Sequence, residues 1–155
     1  MTQETVEIES LSYGRAAVAR SGGRVLFIEG AAPGDRLRVS IGRDHGNWAE
    51  AAVVEIIEPG PTRVAPPCPL VESCGGCPWQ HVSYPAQLAA KRRALKDTLA
   101  RIAAVADAPV EEVVPSPATT GYRNRLKLRF DGGRIGFYSA RSHRLVPVEN
   151  CLIAE

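Results

Sequence analysis

The sequence RVLFIEGAAPGDRLRVSI, residues 24–41, carries the strongest fold signal in the N-terminal part of the chain. Its opening segment, Arg24–Glu29, is rich in β-branched and aromatic side chains, which favour strands. After the turn signal Pro33-Gly34, apolar and polar residues alternate from Asp35 to Ile41, the pattern of a strand with one buried face. The stretch therefore predicts two short strands joined by a tight connection.

Three further strands are predicted around this pair, at Val6–Ile8, Tyr13–Ala19 and Trp48–Ile57. Gly22-Gly23 and the DHGN sequence at 44–47 supply turns between them. Five short strands within about 55 residues predict a small closed barrel of the OB type, a scaffold that often binds nucleic acids. The fold by itself does not establish that function.

Four cysteines form the second informative pattern. Cys68, Cys74 and Cys77 lie in the segment CPLVESCGGC, and Cys151 follows far downstream. Disulfides would need an oxidising compartment, but the N-terminal sequence has no secretory signal and no apolar run suits a membrane span. A redox Cys-x-x-Cys is disfavoured by the proline after Cys77 and by the absence of a preceding strand. We therefore expect a cytoplasmic protein, without membrane contact, whose thiols hold a soft metal centre.

The metal itself stays open between two candidates. Structural zinc sites usually show two close pairs of cysteines, whereas only one cluster is present here. Iron–sulfur clusters accept three close cysteines and one remote one, and the spacing favours them.

The remainder of the chain contains one helical pattern and several linker signals. Residues 85–104 carry an apolar stripe that is predicted to pack in a core, consisting of Leu88, Leu95, Leu99 and Ile102. Pro59-Gly60-Pro61 and Pro66-Pro67 indicate a stiff linker. The predicted organisation is a barrel at 1–60, a linker and cysteine loop at 61–84, and a helix plus basic β-hairpin at 85–155.

The segment YRNRLKLRF, residues 122–130, predicts a basic strand. Alternate side chains of a strand point to opposite faces, so one face would carry Arg123, Arg125, Lys127 and Arg129. Residues 116–146 contain seven lysines and arginines against Asp131 alone, which indicates a polyanionic partner such as RNA. Asp131-Gly132-Gly133 predicts a hairpin turn into a strand at Arg134–Ser139, and Leu145–Val148 predicts one more strand.

Together these segments resemble the N-terminal part of bacterial RNA uracil-5 methyltransferases of the 23S ribosomal RNA type. GRAAVARSGGRVLFIEGAAPGDRLRVSI resembles their TRAM domain. From Arg63 onward, RVAPPCPLVESCGGCPWQHVSYPAQLAAKRRALKDTLARI resembles their iron–sulfur region, and GYRNRLKLRF with IGFYSARSHRLVPVENC resembles their central domain.

The resemblance implies a mainly β fold: an OB-like TRAM barrel followed by a small α+β iron–sulfur region with one helix and a hairpin sheet. It implies a [4Fe–4S] cluster, and its ligands would be Cys68, Cys74, Cys77 and Cys151. It also implies binding of RNA, most of all ribosomal RNA, near the basic strand, with residues Arg123, Arg125, Lys127 and Arg129.

Intact members of this family carry a further Rossmann-like domain that binds S-adenosylmethionine and supplies a nucleophilic cysteine. Here the four cysteines are all assigned to the cluster, and no glycine-rich cofactor motif is present. We therefore expect this chain alone not to methylate RNA and to require a missing or separate methyltransferase domain. A stand-alone iron–sulfur electron carrier and a zinc-stabilised RNA-binding module are the alternative functions.

Overall fold

A computed structural model describes residues 2–155, and its N-terminal part is a six-stranded sheet. The strands are β1 (Gln3–Glu7), β2 (Ser10–Leu11), β3 (Ala16–Ser21), β4 (Arg24–Glu29), β5 (Arg36–Asp44) and β6 (Trp48–Glu58). Their order across the sheet is β1-β5-β6-β4-β3-β2. Neighbouring strands are antiparallel except β4 and β6, which run parallel.

The sheet closes on itself because β1 and β2, its two edges, are consecutive in the chain. Between them, the Ile8 amide donates to the Asp35 carbonyl at 2.9 Å and extends the pairing with β5. The Glu9 amide donates to the Val18 carbonyl at 2.8 Å and extends the pairing with β3. Counted as one bent strand, β1 and β2 complete a five-stranded barrel of the OB type, which confirms the predicted fold class.

The core of the barrel follows from alternation along its strands. In β5, Leu37 and Val39 are fully buried, whereas Arg36 and Arg38, which alternate with them, point to solvent. The same period of two fills the rest of the interior. The other buried apolar residues of the barrel are Val6, Ile8, Leu11, Ala17, Ala19, Leu26, Ile28, Ala31, Ala32, Ile41 and Ala49.

A buried carboxylate joins the β4–β5 connection to the segment that follows β6. Asp35 is 0% exposed and accepts hydrogen bonds from the Ala32 amide at 2.6 Å and the Gly60 amide at 2.9 Å. The Arg63 guanidinium donates to it at 2.6 Å through Nη2 and at 3.0 Å through Nε. Burial by itself raises the pKa of Asp35, but these hydrogen bonds and the Arg63 charge outweigh it and hold the pKa below its usual value.

The chain forms two compact units, and the helix α1 (Tyr84–Arg101) belongs to the same unit as the barrel. The first unit contains the chain up to Ala65 together with His81–Val113, and the second contains Pro66–Gln80 and Val114–Glu155. The sequence had grouped the helix with the hairpin instead.

A short backbone ladder explains this grouping. The Val64 amide donates to the His81 carbonyl at 3.0 Å, and the Ser83 amide donates to the Thr62 carbonyl at 2.8 Å. The His81 ring, which is buried, also contacts the Ala31 carbonyl at 3.0 Å through Nε2. The start of α1 is therefore tied to the barrel by residues that lie before and after the cysteine loop, a pairing that no local pattern reveals.

The helix is confirmed, but the predicted burial of its apolar stripe is wrong. None of the residues of α1 is buried, and Leu95 is 50% exposed. Ile102, at the C-cap, is 82% exposed. Helical periodicity places these side chains on one face, but it does not supply a neighbouring element to cover that face. No helix within residues 2–155 has the length and hydropathy that crossing a membrane requires.

The second unit contains a three-stranded antiparallel sheet in the order β7 (Arg129–Asp131), β8 (Arg134–Tyr138) and β9 (Leu145–Pro147). Gly132 and Gly133 join β7 to β8 with φ of 54° and 78°. Two successive positive φ values define the turn that suits a two-residue hairpin, so the predicted hairpin is confirmed. The strand predicted at Leu145–Val148 is confirmed as β9.

The basic strand predicted over 122–130 is wrong except at its end. Of its four cations, only Arg129 lies in a strand, and residues 124–128 have no strand partner. Arg123 forms an isolated bridge to Ala154 instead. The alternation of leucines and cations sets where side chains would point in a strand. It does not supply the neighbouring strand whose backbone must pair with it.

Candidate metal centre and nucleic-acid interface

The four cysteines line one cavity of about 40 Å³ within the second unit. Cys68, Cys74 and Cys77 belong to the cysteine loop, residues 68–77, whereas Cys151 follows β9. All four are free thiols and half-buried. The rest of the lining is mainly apolar and includes Leu70, Val71, Phe137, Val148, Leu152 and Ile153.

Turns within the cysteine loop bring its three thiols to the same cavity. The Cys74 amide donates to the Leu70 carbonyl at 2.7 Å, and the Ser73 amide donates to the same oxygen at 3.1 Å. The Cys68 amide donates to the Gln80 side-chain oxygen at 3.2 Å, which fixes the start of the loop against its exit. Gln80 also lines the cavity and forms a side-chain hydrogen bond with Cys77.

The two glycines of the CGGC sequence have different roles. The Gly75 amide donates to the Tyr138 carbonyl at 3.0 Å. A Cβ on Gly75 would lie 2.7 Å from that oxygen, so only glycine permits the loop to approach the end of β8. Gly76 has room for a side chain, and its amide donates to the Cys74 sulfur at 3.4 Å.

The thiols are close enough to influence one another's ionisation. Burial raises the pKa of Cys77, a hydrogen bond with Gln80 lowers it, and the charges of Cys74, Cys151 and Cys68 raise it again. A group of thiols in this setting resists joint deprotonation. A bound cation would remove that resistance, because thiolates are stabilised by the metal that they coordinate.

The donor set fits a thiophilic metal centre, although the ligand positions are not preformed. Within residues 2–155, no three histidine, cysteine, aspartate or glutamate side chains are grouped closely enough to hold a metal ion as they stand. Four thiols in an apolar pocket suit zinc or an iron–sulfur cluster and do not suit a hard cation. Thiolate centres commonly complete their geometry as the metal binds, because binding and folding are coupled. The ligand set Cys68, Cys74, Cys77 and Cys151 remains a prediction.

The four predicted RNA-binding cations are exposed, and only the last of them lies in a strand. Arg123 lines the cysteine cavity, and its amide donates to the Ile153 carbonyl at 2.9 Å. Arg129 lies in β7 with its guanidinium carbon 5.3 Å from the centre of the Tyr138 ring. Arg125 and Lys127 lie between them on the irregular segment that leads to β7. The structure therefore distributes these cations along one segment of the second unit.

An aromatic cluster on the barrel was not predicted as functional. His45 stacks on Trp48 with ring centres 3.7 Å apart, and Phe27 contacts Trp48 edge-on at 5.8 Å. Tyr13, in the connection between β2 and β3, is 92% exposed. The available signal was their position, because His45 and Tyr13 lie in loops of a barrel type that binds ligands with such loops.

Comparison with known proteins finds that the chain is similar to a TRAM domain and to RNA methyltransferases. Residues 2–54 match the TRAM domain family. Over 97% of its length, the chain is 40% identical to an uncharacterized RNA methyltransferase of Gloeobacter violaceus, of which it covers 34%. It is 38% identical, also over 97% of its length, to an uncharacterized RNA methyltransferase of Bdellovibrio bacteriovorus, of which it covers 38%.

The chain is also similar to a solved structure of an RNA methyltransferase. The crystal structure of Pyrococcus abyssi tRNA (uracil-54, C5)-methyltransferase in complex with S-adenosyl-L-homocysteine is similar with a TM-score of 0.64 and 25% identity. The match covers 96% of this chain and 32% of that protein. The chain thus spans about a third of the length of the relatives that it matches. Its predicted resemblance to part of an RNA methyltransferase is confirmed at this coarser level.

Proposed function

We propose that this chain is the RNA-binding, cluster-bearing N-terminal region of a cytoplasmic 23S rRNA (uracil-5-)-methyltransferase. The observation that carries the proposal is the convergence of four free thiols on one apolar cavity. The TRAM match and the methyltransferase relatives support the enzyme class. In the complete enzyme, S-adenosylmethionine would be bound by a catalytic domain outside this chain.

In this proposal Cys68, Cys74, Cys77 and Cys151 hold a [4Fe–4S] cluster. When bound, the cluster supplies a covalent cross-link between segments distant in sequence, and it is able to accept or release an electron. The protein's own contribution is to hold the loop in place. Gly75 permits its contact with β8, Gln80 closes it, and the Gly76 amide donates to a ligand sulfur. A cross-link suits a unit whose sheet has only three short strands.

RNA binding in the second unit is assigned to Arg123, Arg125, Lys127 and Arg129. Their exposure and the excess of cations over residues 116–146 support this assignment, because phosphate contacts dominate affinity for nucleic acids. Arg125 and Lys127 carry most of the argument, since Arg123 lies partly at the cysteine cavity and Arg129 contacts Tyr138. Ribosomal RNA is the proposed substrate class.

Affinity for a ribosomal RNA fragment, measured over a range of salt concentrations, tests this function. The double variant Arg125→Gln/Lys127→Gln should weaken binding and reduce the slope of log affinity against log salt by about 1.4 to 1.8. Arg36→Gln, which removes an exposed charge from β5, is the matched control and should leave the slope nearly unchanged. An unchanged slope in the double variant would argue against the assignment.

A further inference from the structure

A groove of about 590 Å³ lies in the first unit, between the outer surface of the barrel and the C-terminal half of α1. Its barrel side includes Tyr13, Phe27 and Trp48, and its helix side includes Arg101 and Ile102. The volume falls within the roughly 300–1,000 Å³ range of pockets that bind small ligands or single residues of a polymer.

Strand geometry explains why the outer surface here is aromatic. Val18 pairs with Phe27 across β3 and β4, and Val25 pairs with Trp48 across β4 and β6. Because their neighbours in sequence fill the barrel interior, these four side chains must point outward. The barrel therefore carries apolar and aromatic side chains on its outer face, where all four are half-buried.

The location of this face is informative for a barrel of the OB type. Such barrels bind oligonucleotides or oligosaccharides on the face of their second and third strands and through the adjoining loops. With β1 and β2 counted as one strand, these strands are β3 and β4. Tyr13 lies in the loop before β3, and His45 lies in the loop between β5 and β6. Both flank the aromatic face.

The charges of the groove favour a polyanion over an oligosaccharide. Arg20 is paired with Glu9, and Arg93 lies 3.7 Å from Asp97. Arg101, in the last turn of α1, makes no ion pair with any residue of the described chain. An unpaired cation beside the exposed Tyr13 ring is the combination with which proteins bind single-stranded nucleic acid: the ring stacks on a base, and the cation contacts phosphate.

We propose that this groove binds one or two unpaired nucleotides of an RNA, with a base stacked on Tyr13 and a phosphate at Arg101. The site adds an RNA contact in the first unit to the basic segment of the second, and it rests on the proposed function in taking RNA as the polyanion. Unpaired bases are the part of an RNA that aromatic side chains are able to reach.

Binding of an oligouridine of about eight nucleotides and of an abasic oligomer of equal length tests the groove. Wild-type chain should bind the oligouridine more tightly. Tyr13→Ala should raise the Kd for oligouridine by about 5- to 150-fold and leave the Kd for the abasic oligomer unchanged. Tyr13→Phe keeps the ring and should bind as wild type does. Arg101→Gln should reduce the salt slope by about 0.7 for both oligomers.

Equal affinity for the two oligomers, or an unchanged oligouridine Kd in Tyr13→Ala, would overturn the proposal. The same holds if Tyr13→Ala changes only the association of the chain with itself or with another protein. Tyr13 is 92% exposed, so loss of folding does not confound the result. If Arg125→Gln/Lys127→Gln weakens RNA binding while Tyr13→Ala does not, the groove fails and the proposed function stands. If neither change matters, both fail.

Discussion

Replacing Asp35 with asparagine tests the buried ion pair that joins the barrel to the segment after β6. The two side chains have nearly the same shape, so the change opens no cavity. It removes the negative charge that faces Arg63, and it turns one acceptor oxygen into an amide donor. That donor would face the Ala32 amide, the Gly60 amide or the Arg63 guanidinium, which are donors themselves.

The expected cost follows from the burial of each partner. Removing one member of a buried pair typically costs about 3–5 kcal/mol. Asp35 is fully buried, but the Arg63 side chain is 17% exposed and regains some hydration. We therefore expect the lower end of that range, a decrease of about 3 kcal/mol in the free energy of unfolding. Against a total of about 5–15 kcal/mol for a typical domain, this loss is large.

Urea unfolding at neutral pH measures the effect. A Trp79→Phe background leaves Trp48 as the only tryptophan, so fluorescence reports on the barrel. Glu55→Gln is the control, since it breaks an exposed pair with Arg38 whose side chains are 51% and 48% exposed. It should cost less than about 1 kcal/mol. Equal destabilisation by Asp35→Asn and Glu55→Gln would refute the assignment of a stabilising buried pair.

Three further outcomes follow from the same structure. The stability advantage of wild type over Asp35→Asn should be constant near neutral pH and should shrink as the pH falls through and below about 4. The reason is that the pKa of Asp35 is lowered in the folded protein, so that only the ionised form is stabilised. Urea midpoints at several pH values measure this change. Burial lowers the pKa of His81, so the unfolded chain takes up the proton first and the free energy of unfolding should fall below about pH 6.5. His81→Gln is still able to donate to the Ala31 carbonyl and should reduce that fall. An identical pH profile in the variant would contradict the role of His81. Gly75→Ala should lower the iron content severalfold, because the added Cβ would lie 2.7 Å from the Tyr138 carbonyl oxygen. Gly76→Ala should keep the wild-type iron content, because its Cβ would meet only the Cys74 sulfur, at 3.5 Å. Equal iron contents in the two variants would contradict the role of Gly75.

The barrel was predictable because its signal is local. Alternation at Leu37 and Val39 fixes both the strand and its buried face, and Gly22-Gly23 marks the turn between β3 and β4. The sequence predicted that the barrel closes, but not which segment closes it. The means of closure, a bent segment at Ile8 and Glu9 that pairs with both edges, depends on contacts between distant strands. The grouping of α1 with the barrel depends on such a pairing as well.

At the candidate sites too, the sequence did not reveal contacts between distant segments. The sequence predicted a common site for Cys68, Cys74, Cys77 and Cys151, and the structure brings them to one cavity without preformed ligand spacing. The basic strand failed because a pattern of side chains cannot supply a pairing partner for the backbone. The aromatic groove was missed because Phe27 and Trp48 become neighbours only through the parallel pairing of β4 with β6.

Metal analysis of the chain purified without oxygen tests the central proposal most directly. A [4Fe–4S] cluster at this site predicts about four irons and about four acid-labile sulfides per chain. It also predicts that Cys151→Ser loses most of both, while the barrel unit remains folded. Zinc bound without sulfide, or iron and sulfide contents that Cys151→Ser leaves unchanged, would contradict a cluster held by these four cysteines.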